Sequence, residues 1–325
     1  MNTFESPLYR IPNVSFWIGR EDGEHPDFLR WHQVIENIDL RNKLDFSRAV
    51  VFIGFCCDEG VRRNMGRVGA VEGSSSLRKI LAGLPVHFSP ENLRLIDAGD
   101  IICEHGDLEN AQAALSKAVS TIIDSGGFPI VLGGGHEVMY GHFCGIKKST
   151  NQSVGIINID AHLDIRQPLE GQGSSGTGFY QIAHDLAEEN IEFHYLAIGV
   201  QQISNTKALF DYAEKKGVQI IEAQEIYEAN VEQITRAVKQ FGKKVDVIYL
   251  TIDIDAFAAP YAPGVSALAF NGIVPDHVFH KIYATIIALP NLVSMDLAEL
   301  NPTHDIDNRT ARLGADLIFR VIQKF

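Results

Sequence analysis

The sequence predicts an α/β fold, with a doubly wound and mostly parallel sheet of about eight strands and helices on both faces. The first indication is a series of apolar, β-branched runs that are mostly continuous rather than alternating, which is typical of strands covered on both faces. The second is that helical patterns separate many of these runs, so that strand, helix and strand follow one another. Such connections are right-handed crossovers between parallel strands. The order of the elements therefore predicts a doubly wound sheet.

Eight apolar runs mark the predicted strands. They lie at residues 49–55, 93–96, 129–132, 154–159, 193–200, 218–221, 245–252 and 292–295. Amphipathic stretches mark predicted helices at residues 108–124, 179–189, 231–241 and 276–288. In the first of these, Leu115, Val119 and Ile122 fall on one face of a helix, as expected for a helix that packs on a sheet.

The first 48 residues are polar and dotted with aromatic side chains, and we expect them to wrap the core as a lead-in. No internal repeat, low-complexity segment or linker divides the chain. A length of 325 residues lies within the range of large α/β proteins built on one core. We therefore predict a single domain over residues 1–325, with residues 1–48 packed on the rest.

Composition limits the partners and the compartment. The net charge of −13 and the lack of a basic stripe speak against nucleic acid and anionic membranes, although local arginines can still bind an anionic substrate. No apolar stretch approaches the roughly 18 residues that a membrane span needs. Four cysteines without a disulfide framework indicate a reducing compartment, and the first residues carry no signal region. The sequence thus predicts a cytoplasmic protein without nucleic-acid or membrane partners, and it leaves a homo-oligomer open.

Three short motifs bring together four aspartates and two histidines. Each motif comes directly after an apolar run: Gly133-Gly134-Gly135-His136, Asp160-Ala161-His162-Leu163-Asp164 and Asp253-Ile254-Asp255. Because the carboxyl ends of parallel strands meet at one edge of a sheet, these side chains are expected to converge there. In an extended segment residues i, i+2 and i+4 point to one side, which would let one aspartate bridge two ions. We predict a binuclear metal site with the ligands His136, Asp160, His162, Asp164, Asp253 and Asp255.

Charge and donor type support this interpretation. Four buried carboxylates would repel one another, whereas two divalent cations cancel their charge. Carboxylates with imidazole and no cysteine favour a hard or borderline ion such as manganese over structural zinc. Alone, Asp-x-Asp is more typical of a turn or cap, and Asp-Ala-His-x-Asp of a hydrogen-bonded pair, but the three motifs together favour a metal. A water between two such ions becomes a hydroxide nucleophile suited to trigonal carbon, which predicts a hydrolase.

A competing motif concerns cofactor binding. The stretch 171–176 matches the dinucleotide fingerprint Gly-x-Gly-x-x-Gly by letter and precedes a helical pattern. It does not follow a strand directly, so the context that the fingerprint requires is missing. We interpret this stretch as a flexible substrate loop.

At these residues the chain resembles the ureohydrolase superfamily, which includes arginase, agmatinase and formimidoylglutamase. The three motifs occur in the order of that family with similar separations, and the resemblance covers nearly the whole chain. The chain is most similar to the formimidoylglutamases. The stretches that indicate this are 17–20 with 30–33, 58–64 with 66–70, 133–138 with 140–143, and 174–177. The resemblance implies a three-layer, arginase-like fold.

The resemblance also implies two Mn²⁺ ions. One ion would be held by His136, Asp160, Asp164 and Asp253. The other would be held by His162, Asp160, Asp253 and Asp255. Asp160 and Asp253 would therefore be shared, and with Glu299 they form the predicted catalytic set. Glu299 matches the family glutamate that binds the amidinium or guanidinium group, and its alternative is an ordinary helix-start or loop carboxylate.

One departure from arginase concerns the proton donor to the leaving amine. Arginase carries a proton-shuttling histidine in the loop after its Asp-Ala-His-x-Asp motif, and residues 174–179 of this chain contain none. His142 and His184 lie nearby in sequence, but both are equally consistent with a structural role. The donor is therefore left open.

The resemblance implies hydrolysis of N-formimino-L-glutamate to L-glutamate and formamide, a reaction of histidine degradation. Because this substrate carries two carboxylates, its pocket needs fixed cations, and arginine binds carboxylates through paired donors. The predicted substrate-binding residues are Arg166, Arg62, Arg67, Ser175 and Thr177, with Arg63 as the weakest of the arginines. For each arginine a surface salt bridge is the alternative.

Other functions are left open beside this one. Agmatinase or another guanidino or amidino hydrolase is the first alternative, although agmatine has no carboxylate for an arginine to bind. A non-catalytic relative that only binds a ligand would have little reason to keep four aspartates together. A deacetylase on a similar sheet is a more distant option.

Overall fold

The structure is a computed structural model that describes residues 4–23, 25–42 and 44–325. The described strands are β1 (Tyr9–Arg10), β2 (Glu36–Asn37), β3 (Ala49–Cys56), β4 (Arg94–Ile102), β5 (Phe128–Leu132), β6 (Val154–Ile159), β7 (His194–Val200), β8 (Gln219–Glu222), β9 (Val247–Asp253) and β10 (Leu292–Ala298). The described α-helices are α1 (Trp31–Val34), α2 (Glu59–Arg63), α3 (Gly73–Leu81), α4 (Leu108–Asp124), α5 (Val138–Ser149), α6 (Gly178–Glu188), α7 (Lys207–Lys215), α8 (Val231–Gly242), α9 (His277–Ile287) and α10 (Arg309–Ile322). Short 3-10 helices lie at Val14–Phe16, Pro26–Phe28, Ala70–Glu72, Gln202–Ser204, Ala223–Glu225, Glu228–Asn230 and Ile254–Ala256.

All these strands belong to one sheet. Its parallel centre has the order β4, β3, β5, β10, β9, β6, β7, β8. The short β1 pairs antiparallel with β4, and the short β2 pairs parallel with it. The eight strands of the parallel centre are the eight that the sequence predicts, so the mostly parallel α/β sheet is confirmed. The middle of the sheet is formed by β5, β10, β9 and β6, which come from two separate parts of the chain, 128–159 and 247–298.

Helices cover both faces of the sheet and give three layers. Consecutive strand residues point to opposite faces, so that Val51 and Ile53 of β3 pack with α4, α5 and α6, whereas Val50 and Phe52 pack with α3, α9 and α10. The strands are therefore buried on both sides, which explains their continuous apolar runs.

The structure contains helices that the sequence did not reveal. The four predicted helices correspond to α4, α6, α8 and α9, whereas α1, α2, α3, α5, α7 and α10 were not predicted. In α5, Gly141 and Gly145 weaken the helical signal, since glycine is a poor helix former. Their absence of a side chain has a packing reason, because a Cβ at Gly141 would lie 2.8 Å from the carbonyl oxygen of Gln112 in α4. The two helices therefore approach each other closely.

Strand β4 extends well beyond the predicted end at Ile96, through Asp97 and Asp100. A charged residue in a central strand is costly unless it is paired. Arg78 of α3 provides the partner, because its guanidinium donates to Asp97 Oδ1 and Oδ2 at 2.8 Å and to Asp100 Oδ1 at 2.7 Å. The ion pairs allow the polar half of β4 to remain in the sheet.

The lead-in contributes aromatic side chains to the core. Trp31 is fully buried, and its ring lies 6.1 Å from the rings of both Phe52 and Phe319. Trp17 is also buried, and its indole donates to Asp97 Oδ2 at 2.7 Å. A single domain over 1–325 stays a prediction, and residues 1–3, 24 and 43 of the lead-in lie outside the described residues.

Within the described ranges, no helix combines the length and apolar character that a bilayer crossing requires.

Candidate metal centre

The predicted ligands lie at the carboxyl ends of the four middle strands. The segment after β5 carries His136, the segment after β6 carries Asp160 to Asp164, and β9 ends at Asp253. Glu299 directly follows β10, between the ends of β5 and β9. Four strands that are adjacent in space but separated in sequence therefore deliver their polar residues to one edge.

The glycines before His136 let the chain turn sharply at this edge. Gly133 and Gly134 have φ values of 76° and 79°, a left-handed conformation that side chains disfavour. A Cβ at Gly133 would lie 2.5 Å from the amide nitrogen of Ser74, and one at Gly134 would lie 2.6 Å from the carbonyl oxygen of Phe55. Glycine at both positions is what brings His136 next to the aspartates.

The ligand segments are turns rather than the extended segments that the sequence predicted. Residues 160–164 form a bend, and Asp164 has a φ of 47°. Asp253 ends β9, and Asp255 lies in the short 3-10 helix that follows. Each segment is held by its first aspartate: Asp160 Oδ1 accepts from the amide of His162 at 2.7 Å, and Asp253 Oδ1 accepts from the amide of Asp255 at 2.8 Å. The side chains converge because the turns are tight. The predicted convergence is therefore found, but the extended conformation that was expected to produce it is not.

The first ligand group surrounds the Nδ1 atom of His136. This atom lies 2.8 Å from Asp164 Oδ2, 3.2 Å from Asp160 Oδ2 and 3.4 Å from Asp253 Oδ2. One donor atom from each of the four side chains lies within 4.8 Å of all the others. This group has the same members as the first ligand set implied by the resemblance.

The second ligand group shares Asp160 with the first. His162 Nδ1 lies 3.4 Å from Asp160 Oδ1 and 3.2 Å from Asp255 Oδ2. These three side chains also offer donor atoms within 4.8 Å of one another. Asp253, the other expected bridge, belongs only to the first group in this structure.

The carboxylates and imidazoles shift one another's pKa values strongly. Burial lowers the pKa of His136, but Asp160 and its neighbours outweigh burial and raise it well above its ordinary value. Burial also acts to lower the pKa of His162, but Asp255, together with Asp160, outweighs this effect. The net result is a pKa well above the ordinary value. Burial raises the pKa of Asp253, and the charges of Asp255 and Asp160 raise it further. These raised pKa values mean that the side chains bind protons when no metal ion is present. A cluster that gains positive charge in this way is also suited to binding cations.

The residues present fit divalent cations. Asp255 Oδ1 and Glu299 Oε2 are buried and have no hydrogen-bond partner among the described residues. Buried oxygens of this kind are costly unless a ligand or ion meets them. Carboxylate oxygens with two imidazole nitrogens are a donor set that suits Mn²⁺.

Glu299 is held beside the ligand groups by its backbone and by one hydrogen bond. Its φ is 67°, and its Oε1 accepts from the amide of His136 at 2.7 Å. Burial raises the pKa of Glu299 to about 7. Left-handed backbone at a non-glycine residue is uncommon, and it occurs both here and at Asp164. The Oε2 atom of Glu299 is left available for a cationic group.

A cavity of about 270 Å³ opens above the two ligand groups. It is lined by Asn64, Met65, Gly66, Arg67, His136, His162, Asp164, Arg166, Ser175, Asp253, Asp255, Ser266, Ala267 and Glu299. Its floor is therefore anionic, and two arginines lie in its wall.

The two arginines of the wall differ in their partners. The guanidinium of Arg67 donates to the carbonyl oxygens of Val265 and, at 3.3 Å, Ser266. Arg166 is half-buried, and its guanidinium forms no hydrogen bond or ion pair within the described parts of the chain. Arg166 is thus a cation in the cavity wall that pairs with no carboxylate of the described residues.

Three predicted substrate-binding residues do not reach the cavity. The side chain of Arg62 is 64% exposed and pairs with Glu59, so Arg62 lies outside the site. Arg63 pairs with Glu59 and Glu109, which ties α2 to α4. The Thr177 hydroxyl accepts from the amide of Ser174 at 2.8 Å at the start of α6, so it shapes the loop instead of facing the cavity. Arg62 and Arg63 point away from the cavity because of where they lie around the short helix α2. Thr177 points away because of the path of the loop before α6.

Ser175 reaches the cavity, and it does so with a residue that the sequence did not single out. Asn64 lines the same wall, and its amide donates to Ser175 Oγ at 3.1 Å. Ser266 also lines the cavity. Asn64 lies three residues before Arg67 in the loop after α2. Its closeness to a predicted substrate-binding arginine was the one feature of the sequence that could have marked it as a cavity residue.

Neither candidate proton donor lies in the cavity wall. His142 is fully buried and binds Asp296 and Ser294 at 2.7 Å and 2.5 Å. The side chain of His184 is 58% exposed on α6. Neither His142 nor His184 is therefore placed to give a proton to the leaving amine of the substrate.

A protein family and several single proteins are similar to this chain. Residues 48–323 match the model of the Arginase family. A formimidoylglutamase from Clostridium tetani is 43% identical over 326 residues, which cover 97% of this chain and 95% of that protein. A formimidoylglutamase from Geobacillus thermodenitrificans is 39% identical over 322 residues, which cover 98% of each protein.

Solved structures agree in fold. A formiminoglutamase from Trypanosoma cruzi, determined with Mn²⁺, is 28% identical with a TM-score of 0.76, and the match covers 86% of this chain and 93% of that chain. A formimidoylglutamase from Bacillus subtilis has a TM-score of 0.81 over 94% of this chain and 95% of that chain. At 23% identity the second likeness concerns the fold alone. The three-layer, arginase-like fold is confirmed.

Proposed function

This chain belongs to the arginase family, and we propose that it hydrolyses N-formimino-L-glutamate to L-glutamate and formamide. Water adds to the formimino carbon, the bond from this carbon to the glutamate nitrogen breaks, and a proton passes to that nitrogen. The formimino carbon and its terminal nitrogen leave as formamide. Two formimidoylglutamases that match nearly the whole chain support this reaction.

The two ligand groups support two Mn²⁺ ions as the cofactors. The proposed ligands of the first ion are His136, Asp160, Asp164 and Asp253. Those of the second ion are Asp160, His162 and Asp255, and the resemblance to the family adds Asp253 as a further ligand. When bound, two such ions neutralise the carboxylates and lower the pKa of a water towards about 7, which makes it a nucleophile. Asp160 and Asp253 thus serve catalysis by holding the ions together.

The observation that carries the proposal is a carboxylate and a guanidinium placed in one cavity. Glu299 offers the unpartnered Oε2 atom, which suits the cationic formimino group. Arg166 offers an unpaired guanidinium, which suits a carboxylate of the glutamate part. N-formimino-L-glutamate carries both kinds of charge. Agmatine has a second cation where the carboxylate would lie, and Arg166 would repel it.

The rest of the wall supports binding of the glutamate part. Ser175 and Asn64 offer a hydroxyl and an amide next to Arg166. Arg67 adds positive charge, although its guanidinium also holds residues 265 and 266 in place. We propose these residues as the substrate-binding set and leave Arg62 and Thr177 out.

A substrate panel tests the proposal. The purified protein, loaded with Mn²⁺, is incubated with N-formimino-L-glutamate, agmatine and arginine, and formamide, urea and ammonia are measured separately. We expect formamide and glutamate in equal amounts from the first compound. Urea from agmatine as the main activity would overturn the proposal.

The cellular compartment and the oligomeric state of the protein remain predictions. The four cysteines are free, which supports a reducing compartment such as the cytoplasm. A homo-oligomer stays a prediction, and light scattering of the purified protein would decide it.

A further inference from the structure

A chain of buried polar side chains leads from the first ligand group into the sheet. His136 Nε2, the ring nitrogen away from the aspartates, lies 2.9 Å from Thr251 Oγ1. Thr251 Oγ1 lies in turn 2.6 Å from Asp296 Oδ1. Thr251 lies in β9 and Asp296 in β10, and both are fully buried. Polar residues at these central positions interrupt two otherwise apolar strands.

The far end of the chain fixes Asp296 as an acceptor. His142 Nδ1 lies 2.7 Å from Asp296 Oδ2, and the Tyr249 hydroxyl donates to the same oxygen. His142 Nε2 lies 2.5 Å from Ser294 Oγ, whose hydroxyl donates to the carbonyl oxygen of Pro129 at 3.0 Å. Carboxylate oxygens accept hydrogen bonds, and Asp296 Oδ1 is the one that faces Thr251.

The direction of the hydrogen bonds follows from this acceptor. Thr251 has one hydroxyl proton, and Asp296 Oδ1 receives it. Thr251 Oγ1 must then accept from His136, so the proton of this bond sits on Nε2. Nδ1, which faces Asp160, Asp164 and Asp253, is thereby the nitrogen that can give its lone pair to an ion.

We propose that Thr251 and Asp296 are positioning residues that hold the His136 imidazole with Nε2–H towards the sheet and Nδ1 towards the metal centre. The inference rests on the proposed function, because it takes His136 as a ligand. Partners behind a ligating histidine fix its tautomer and its orientation. Without the Thr251 hydroxyl the ring could turn or carry its proton on Nδ1, and either change removes a ligand from the first ion.

Two variants of one residue test the role of the hydroxyl. Thr251→Val keeps the branched shape of the side chain and removes the hydroxyl, whereas Thr251→Ser keeps the hydroxyl. Metal-free proteins are titrated with Mn²⁺, and free Mn²⁺ is followed by electron paramagnetic resonance. We expect Thr251→Val to bind one of the two ions roughly 10- to 100-fold more weakly, which is the usual effect of losing such a partner. The second ion should change little, and Thr251→Ser should bind both ions nearly as the wild type does.

A spectroscopic measurement on the wild type does not depend on whether a variant folds. Histidine labelled with ¹⁵N in the metal-free protein should show a slowly exchanging Nε2–H proton that is missing in His136→Asn. Absence of this signal would overturn the proposed hydrogen-bond direction.

The titration separates the two proposals. If Thr251→Val binds both ions as tightly as the wild type, or if Thr251→Ser loses as much affinity as Thr251→Val, the positioning role is wrong while the proposed function stands. If the wild type itself binds no Mn²⁺, the proposed function fails.

Discussion

Replacement of Arg166 by alanine is the sharpest test of how the cavity selects its substrate. The Arg166 guanidinium lines the cavity and forms no ion pair within the described parts of the chain. Its removal therefore leaves no carboxylate of the protein unpaired, and the loss concerns the bound substrate alone. The fold and the ligand groups should remain as they are.

The size of the loss follows from the exposure of the group. A hydrogen bond to a charged partner contributes about 1.5–3 kcal/mol, and Arg166 is half-buried, so the lower part of this range applies. Since each 1.4 kcal/mol corresponds to about tenfold, kcat/KM for N-formimino-L-glutamate should fall by about 10- to 40-fold. Most of the change should appear in KM. Arg166→Lys should recover part of the loss, because one ammonium cannot make a two-pronged contact.

The assay follows formamide release over a range of substrate concentrations, with Mn²⁺ content measured on the same samples. Arg62→Ala is a matched control, because Arg62 is 64% exposed and lies outside the cavity. An uncharged formamidine without a carboxylate should be hydrolysed equally by the wild type and Arg166→Ala. Equal losses on both substrates would refute the reasoning, since they would show that Arg166 supports the loop instead of binding a carboxylate.

Three further outcomes are expected. Gly176→Ala should also raise KM, because a Cβ there would press on the guanidinium in the cavity wall, whereas Gly173→Ala meets only a flexible glutamine and should behave as the wild type in the formamide assay. Asp253→Ala should lose both metal and activity, because a carboxylate of the first ligand group is removed, and elemental analysis that finds two retained ions would contradict its role. Mn²⁺ affinity should fall as the pH is lowered, because His136 and His162 have raised pKa values and must lose a proton to bind an ion, by about tenfold per pH unit for each proton released. Calorimetric titrations between about pH 6 and 9 that give a constant affinity would speak against these two ligands.

The ligand groups could be predicted from the sequence because each motif is local and follows a strand. The motifs at His136, Asp160 and Asp253 carry their own turn geometry, and a parallel sheet brings strand ends to one edge. Neither fact depends on knowing which strands are neighbours. The position of Glu299 between them required the order of the strands, and the resemblance to a family supplied it.

Other features depend on partners that are distant in sequence. The polar half of β4 could not be recognised, because Asp97 is made tolerable in a strand by Arg78 and Trp17, which are both distant in sequence. The sequence alone does not distinguish Arg62 from Arg67. Because of the turn after α2, Arg62 points to solvent and Arg67 lines the cavity. Thr251 in an apolar run resembles any other β-branched strand residue, and its role appears only once His136 lies beside it.

The place of β10 in the sheet has a consequence for how the protein is made. β10 is the last of the described strands in chain order, yet it lies between β5 and β9. While a ribosome is still synthesising residues 292–298, the growing chain has two partial sheets with open edges, and such edges favour aggregation. Insertion of β10 joins the two halves and brings the segment after β5 next to those after β9 and β6. The first ligand group, which needs His136 beside Asp160 and Asp253, is therefore complete only once β10 has been inserted.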